Sequence, residues 1–458
     1  MKLQRPRVVI AGTNSGVGKT TIVTGLLAYY HAKGMSVQPF KVGPDYIDPG
    51  FHGKAAGRNS YNLDTWLTPP DRLGHTFARL SAGADISIVE GVMGLYDGGG
   101  KGVSSTAEIA KRLEAPVILV LDCKSVGVSI AATALGYREY DKDLQIAGVI
   151  LNRLGSDRHE QMIREALGEL GIPVIGAFHR DEELKTPERH LGLTPVTEIE
   201  TEKLIARMAE DAGRWIDTES LFSIAKNAPA MHVDEAADQR VEIKARIGIA
   251  QDEAFSFYYP SGLEALEHAG ARLIPFSPLR DDAIPDVDGL LFGGGFPEMF
   301  LKELAGNDTM KESIRSASKQ GMPIYAECGG LMYLSREILG FEGDTYPMVG
   351  IVPGACAMQK KLQRVGYVTG EALVDSIIAD KGDTLRGHEF HFSTLSASSD
   401  FSWAYSLKGT RQKESHIEGY GKDNVLATYL HISFDGNPEA AKRFVNSCAS
   451  FRRACSKK

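Results

Sequence analysis

Cysteine and tryptophan are scarce in these 458 residues, with five of the first and three of the second. Cys123, Cys328, Cys356, Cys448 and Cys455 form no C-x-x-C pair and leave an odd count, which argues against a disulfide framework or a structural zinc site. At most one of them should carry chemistry. Long apolar runs are missing as well. No uninterrupted stretch approaches the roughly 20 residues that span a bilayer, and Met1 leads through Arg5 and Arg7 into one short apolar segment. The expectation is a cytoplasmic chain without a targeting peptide. Basic excess is absent too: 51 Lys and Arg against 59 Asp and Glu give a net charge of −8. Nothing in that balance recruits nucleic acid or an anionic membrane, so small molecules are the expected partners. Apolar side chains are ample, at 43% of the sequence. They can build real cores, in a chain too long for one, and two large domains fit best.

Short β-branched runs alternate with helical periodicity from the start: Val8 to Ile10, Val37 to Val42, Ile86 to Val89, Val117 to Leu121 and Gly148 to Leu151. Apolar residues that are continuous rather than alternating imply strands buried on both faces, hence a parallel sheet wrapped by helices. A polar stretch without periodicity follows, and the alternation restarts at Ile247 to Ala250, with further strands expected at Arg272 to Phe276, Leu290 to Phe292 and Pro323 to Ala326. The expected organisation is an α/β domain over 1–226, a linker over 227–243, a second α/β domain over 244–446 and a basic tail over 447–458, with Arg452, Arg453, Lys457 and Lys458 as a frayed end.

Directly after the first strand stands Gly12-Thr-Asn-Ser-Gly-Val-Gly-Lys-Thr-Thr21, entering a helix marked by Ile22, Val23, Leu26, Leu27 and Tyr30. Glycines let backbone N–H groups approach phosphate oxygens, and the helix N-terminus adds positive potential. Lys19 can neutralise β/γ charge and the Thr20 hydroxyl can ligate Mg²⁺. Thr13 stands where the strict G-x-x-x-x-G-K-[ST] pattern has its first glycine, yet the strand-loop-helix context holds. Carboxylates for the metal come from two places. One is Lys41-Val-Gly-Pro-Asp45-Tyr-Ile-Asp48-Pro; the other is Val89-Glu90-Gly-Val-Met-Gly-Leu-Tyr-Asp97, where Glu90 ends an apolar strand. Carboxyl ends of parallel strands face the ligand crevice in such sheets. Asp45 and Asp48 can equally be turn formers beside Pro44 and Pro49.

In the second half, Pro323-Ile-Tyr-Ala326 runs into Glu327-Cys328-Gly329-Gly330 and a helical segment. A cysteine on a tight strand-to-helix turn with small neighbours is what a nucleophile elbow requires, and the helix N-terminus favours the thiolate. The other four cysteines lack this setting and read as structural. A thiol nucleophile needs a base, and His431 closes the apolar stretch Val425 to Leu430. The N–H of Gly329, with amides of the turn Gly293-Gly294-Gly295, would form the oxyanion hole.

These runs, with Arg189-His-Leu-Gly-Leu193, Phe292-Gly-Gly-Gly-Phe-Pro-Glu298 and Arg386-Gly-His-Glu-Phe-His-Phe-Ser393, resemble the cobyrinate a,c-diamide synthases, CobB/CobQ-type glutamine amidotransferases, over nearly the whole chain. The resemblance implies a dethiobiotin-synthetase-like ATP domain followed by a class I glutamine amidotransferase domain. It implies ATP- and glutamine-dependent amidation of the a and c carboxylates of cobyrinate through acyl phosphates, with MgATP as co-substrate. Ni-sirohydrochlorin and hydrogenobyrinate enzymes look similar in these motifs. By position, Asn14, Gly16, Gly18, Lys19, Thr20 and Thr21 match the phosphate loop; Thr20, Asp48 and Glu90 match the Mg²⁺ ligands; Lys41 matches a phosphate- or carboxylate-binding lysine. Asp45 and Asp97 fall near the macrocycle or metal, and Asn152 resembles an adenine-reading position. A homodimer is compatible with the resemblance.

One departure stands out. Many class I glutaminases continue His-Pro-Glu, whereas His431 is followed by Ile432-Ser433. That leaves a Cys-His dyad or a remote third member such as Glu389. His388 and His391 read as structural or substrate-side groups rather than metal ligands. Two rival readings are a partitioning-type switch ATPase with a silent second domain, against which Asn14 stands where a signature lysine is usual, and a stand-alone glutaminase with a regulatory P-loop.

Overall fold

The structure is a computed structural model that describes residues 2–180, 198–232, 242–397, 401–412 and 414–455. The Arg189 to Leu193 run, much of the expected linker, and Lys457 and Lys458 lie outside the described residues. The chain forms two compact units, Met1–Thr65 with Pro69–Ala237, and Trp66–Thr68 with Asp238–Lys458.

The first unit is built on seven strands: β1 (Arg7–Gly12), β2 (Val37–Val42), β3 (Tyr61–Leu63), β4 (Ile86–Glu90), β5 (Val117–Asp122), β6 (Ile146–Leu154) and β7 (Val174–His179). They lie in the order β3-β2-β4-β1-β5-β6-β7, every pairing parallel. Val8, Val9, Ile10 and Ala11 are wholly buried, with Val9 and Ala11 in the core on one face and Val8 and Ile10 in that on the other. Two-sided burial is why the strand reads as continuous apolar sequence. Helix α1 (Lys19–Ala32) packs Ile22, Val23, Leu26 and Leu27 against the second face. Chain order reverses around β1, so the loop between β1 and α1 opens at a switch point, where parallel sheets bind ligands.

The second unit carries a ten-stranded sheet. Its parallel half contains β8 (Ala245–Ala250), β9 (Ala271–Phe276), β10 (Gly289–Phe292), β11 (Ile324–Glu327) and, later in the chain, β16 (Val425–Thr428). Its antiparallel half contains β12 (Arg364–Ala372), β13 (Thr384–His391), β14 (Trp403–Gly409), β15 (Ser415–Lys422) and β17 (His431–Ile432). The order is β9-β8-β10-β11-β16-β15-β14-β12-β13-β17. Strands β16 and β17 are separated by only Tyr429 and Leu430, yet β17 pairs with β13 at the far end of that order. The antiparallel half must therefore curl back, which brings β13 over the carboxyl ends of β11 and β16.

Helix α2 (Gly329–Leu334) follows β11, and α3 (Pro438–Cys455) closes the chain. Residues 447–455, expected as a frayed tail, belong to α3, and Cys448 and Ala449 are buried in the core. The basic residues hid an amphipathic face. No helix among the described residues is long and apolar enough to cross a membrane.

Candidate active sites

In the first unit, Gly16 and Gly18 adopt φ of +78° and +96°, left-handed values that turn the loop before α1. A Cβ on Gly18 would come within 2.4 Å of the Asn152 amide. Lys19 Nζ donates to Asn14 O at 3.1 Å and Met93 O at 2.6 Å, and burial lowers its pKa to about 8. Asn152 Nδ2 donates to Val17 O at 2.7 Å, so this residue latches the loop backbone. Thr21 lies within the first turn of α1.

Acidic groups converge beside the loop. Thr20 Oγ1 donates to Glu90 Oε1 at 2.7 Å and lies 3.3 Å from Asp48 Oδ2. Lys41 Nζ bridges the same carboxylates, at 2.6 Å from Asp48 and 2.8 Å from Glu90. Glu90 is fully buried, and its other oxygen lies 2.7 Å from His52 Nε2. Burial alone would raise the Glu90 pKa; Lys41 and His52 outweigh it and hold the group well below the carboxylate range. Asp48 moves the other way, to about 6, through burial and then its neighbours Glu90 and Asp45, against the pull of Lys41. Two carboxylates and a hydroxyl form an all-oxygen set that suits Mg²⁺, which takes one or two carboxylates and completes its shell with water and substrate phosphate. Asp45 is drawn into a turn, accepting from the N–H groups of Ile47 at 2.7 Å and Asp48 at 3.2 Å. Asp97 likewise accepts from Gly94 N at 3.0 Å and tightens its own loop.

In the second unit, Cys328 sits at φ 47°, ψ −99° between β11 and α2. That strained turn exposes the thiol, and Cys328 N donates to Thr428 O at 2.7 Å to fix it. His431 is buried and its ring hydrogen-bonds the side chains of both Cys328 and Glu327. Burial would lower its pKa, but these two acidic partners prevail and raise it to about 10. A Cβ on Gly329 would stand 3.2 Å from Gly295 N, so the glycine turn packs closely against the residue that follows Cys328. Gly293 N is already committed, donating to the Tyr258 hydroxyl at 2.7 Å. Gly294 and Gly295 pair with Phe257 and Phe255. Cys123, Cys356 and Cys448 are buried and their thiol pKa values are raised by burial, whereas Cys455 is exposed near the end of α3.

Comparison with known proteins agrees in both halves. Residues 8–193 match the model of the CobQ/CobB/MinD/ParA nucleotide binding domain, and residues 246–439 match the CobB/CobQ-like glutamine amidotransferase domain. The cobyrinate a,c-diamide synthase of Caldanaerobacter subterraneus subsp. tengcongensis is 43% identical over 97% of this chain and 99% of its own. That of Dehalococcoides mccartyi strain CBDB1 is 44% identical over the same shares. The hydrogenobyrinate a,c-diamide synthase of Streptomyces coelicolor is 39% identical over 97% of each chain. The chain belongs to the cobyrinate a,c-diamide synthase family.

As a member of the cobyrinate a,c-diamide synthase family it is a glutamine-dependent amidating ligase, with a nucleotide-binding P-loop domain ahead of the amidotransferase domain. Matches that run through both halves also set aside a switch ATPase with a silent partner. The structure departs from the sequence reading at the imidazole. Glu389 is not beside His431: it pairs with His416 at 3.0 Å and lies 3.7 Å from His391. The carboxylate at His431 belongs to Glu327, with Oε2 3.2 Å from Nδ1. Adjacency to Cys328 was the signal the sequence offered for Glu327, and adjacency does not tell where the carboxylate points. The Arg386 to Ser393 run is mostly β13, and it backs the site. His388 pairs with His431 in register and stacks on its ring, centroids 4.9 Å apart and planes at 11°. Burial and then the charge of His431 depress the His388 pKa well below the usual value, so the lower ring of the stack is neutral.

Proposed function

We propose that this chain converts cobyrinate to its a,c-diamide, using two glutamines and two ATP. Ammonia would form at Cys328. The Cys328 sulfur, its proton already held on His431, attacks the glutamine side-chain carbonyl; the C–N bond breaks, and His431 gives that proton to the departing ammonia. Water then hydrolyses the thioester to glutamate. The N–H groups of Gly329 and Gly295 would hold the oxyanion. In the other unit a carboxylate oxygen of the macrocycle attacks the γ-phosphorus and ADP leaves. Ammonia attacks the resulting acyl phosphate at carbon and phosphate departs. Activation is needed because the negative charge and resonance of a free carboxylate resist a nucleophile.

Gly16, Gly18 and the start of α1 would seat the phosphates, with Lys19 exchanging carbonyl partners for phosphate oxygens. Thr20, Asp48 and Glu90 would hold Mg²⁺, which when bound neutralises charge developing on the β- and γ-oxygens. Lys41 would keep the two carboxylates ionised and close. Asn152 serves the loop as a latch and remains our candidate for adenine recognition. Asp45 and Asp97 shape the loops next to the carboxylate cluster, and we keep them as candidates for the macrocycle side. A cytoplasmic location and a homodimer complete the proposal.

The observation carrying this reading is the pairing of Cys328 with His431 in a chain whose relatives match it from end to end. The Streptomyces coelicolor relative favours hydrogenobyrinate as the second reading. Incubation with MgATP, glutamine and, separately, cobyrinate, hydrogenobyrinate or Ni-sirohydrochlorin, followed by mass measurement of products, tests it. Cobyrinate should lose about 2 Da, one for each carboxylic acid turned to amide. Turnover of another macrocycle in its place would contradict the assignment.

A further inference from the structure

We infer that Glu327, the residue immediately before the nucleophile, is the third member of the thiol site. It takes the place left empty after His431, where many glutaminases carry Glu two residues on. The inference rests on the glutaminase reading of Cys328 and His431 and adds how the imidazole is held.

Three contacts fix the Glu327 carboxylate. Oε2 lies 3.2 Å from His431 Nδ1, while Oε1 accepts from the Tyr325 hydroxyl at 2.6 Å and from Ile432 N at 3.2 Å. The last two leave Oε2 pointed at the ring. Strand register makes this reachable: Glu327 pairs with Thr428 across β11 and β16, and the chain turns through Tyr429 and Leu430 to set His431 above it. Glu418 holds that turn from below, its Oε2 accepting from Thr428 Oγ1 at 2.6 Å. Glu389 and Glu418 are thus engaged elsewhere. Glu327 and His431 are 7% and 2% exposed, so water competes little for the bond.

An imidazole that donates Nδ1–H to a carboxylate turns Nε2 towards the thiol, and the carboxylate stabilises the imidazolium that holds the thiol proton. Glu327 itself neither touches substrate nor accepts the proton. It is a positioning residue, and it can serve only because Cys328 is held in its strained turn, which directs successive side chains to the same imidazole.

The test is glutamate release from L-glutamine by the full chain, beside ammonia-driven amidation and the pH profile of Cys328 alkylation by iodoacetamide. Glu327→Gln should lower glutaminase kcat by up to about 10⁴-fold, the order that replacing the carboxylate costs in Ser-His-Asp triads. KM should stay within about threefold, the alkylation midpoint should move to higher pH, and ammonia-driven amidation should persist. Glu327→Asp, which keeps the charge, should recover part of kcat and the wild-type alkylation profile. A Gln variant with kcat within twofold of wild type and an unmoved profile would overturn the inference. Should the Gln variant lose ammonia-driven amidation as well, the Asp variant decides: reduced kcat at wild-type KM supports the assignment, and unchanged kcat defeats it. Wild-type protein that releases no glutamate would instead defeat the glutaminase reading.

Discussion

Burial of His431 between a thiol and a carboxylate decides the protonation state in which the ring rests. The unfolded chain has an ordinary histidine with pKa near 6.5, whereas the folded chain raises it to about 10, both acidic partners overcoming desolvation. Between those values the folded state keeps a proton that the unfolded state has released. The associated stability is therefore present in full below about pH 6.5 and is lost as pH rises towards 10. Urea unfolding of the wild type should lose more stability between pH 6 and 9.5 than that of His431→Gln. Equal losses would mean that the ring is not charged at rest. In the first unit, Lys41 performs the same service for Glu90 and Asp48, whose charges could not otherwise share a dry pocket.

Single residues acquire these roles from the elements that carry them. The turn after β11 is crowded: a Cβ on Gly330 would lie 2.6 Å from the Phe292 Cβ and 2.7 Å from its carbonyl oxygen. Because Gly330 N also donates to Gly293 O at 3.1 Å, the start of α2 is pressed against the glycine turn. Gly330→Ala should push the two apart, costing about 1–3 kcal/mol of stability in the second unit, typical of overpacking, and lowering glutaminase turnover. Denaturant midpoints and glutamate release measure both effects. The two-sided burial of β1, β4 and β5 was plain in their apolar runs, as were Gly16 to Thr20 and the strand leading into Cys328. The strands from Arg364 to Lys422 were not legible, because alternating, partly exposed residues such as Val365, Phe390 and Ile417 give no continuous apolar signal. Their loss from the reading hid the neutral His388 stacked on the His431 ring. Glu327 stood in plain sight beside the cysteine, yet only the register of β11 against β16 shows where its carboxylate goes.

At the scale of the whole chain, two α/β units hold two complementary chemistries. One has a phosphate loop with converging oxygens, and the other a thiol with its imidazole. Sequence conveyed both sites because each depends on local strand-loop-helix geometry. It conveyed less of the groups that tune them, His52 at Glu90 and Glu327 at His431, since those contacts arise from tertiary packing. Division of labour between the units is the central claim. Cys328→Ser tests it most directly, with amidation of cobyrinate measured once with glutamine and once with ammonium as nitrogen source. The account predicts that glutamine-driven amidation disappears while ammonia-driven amidation continues near the wild-type rate. Equal loss of both would contradict it.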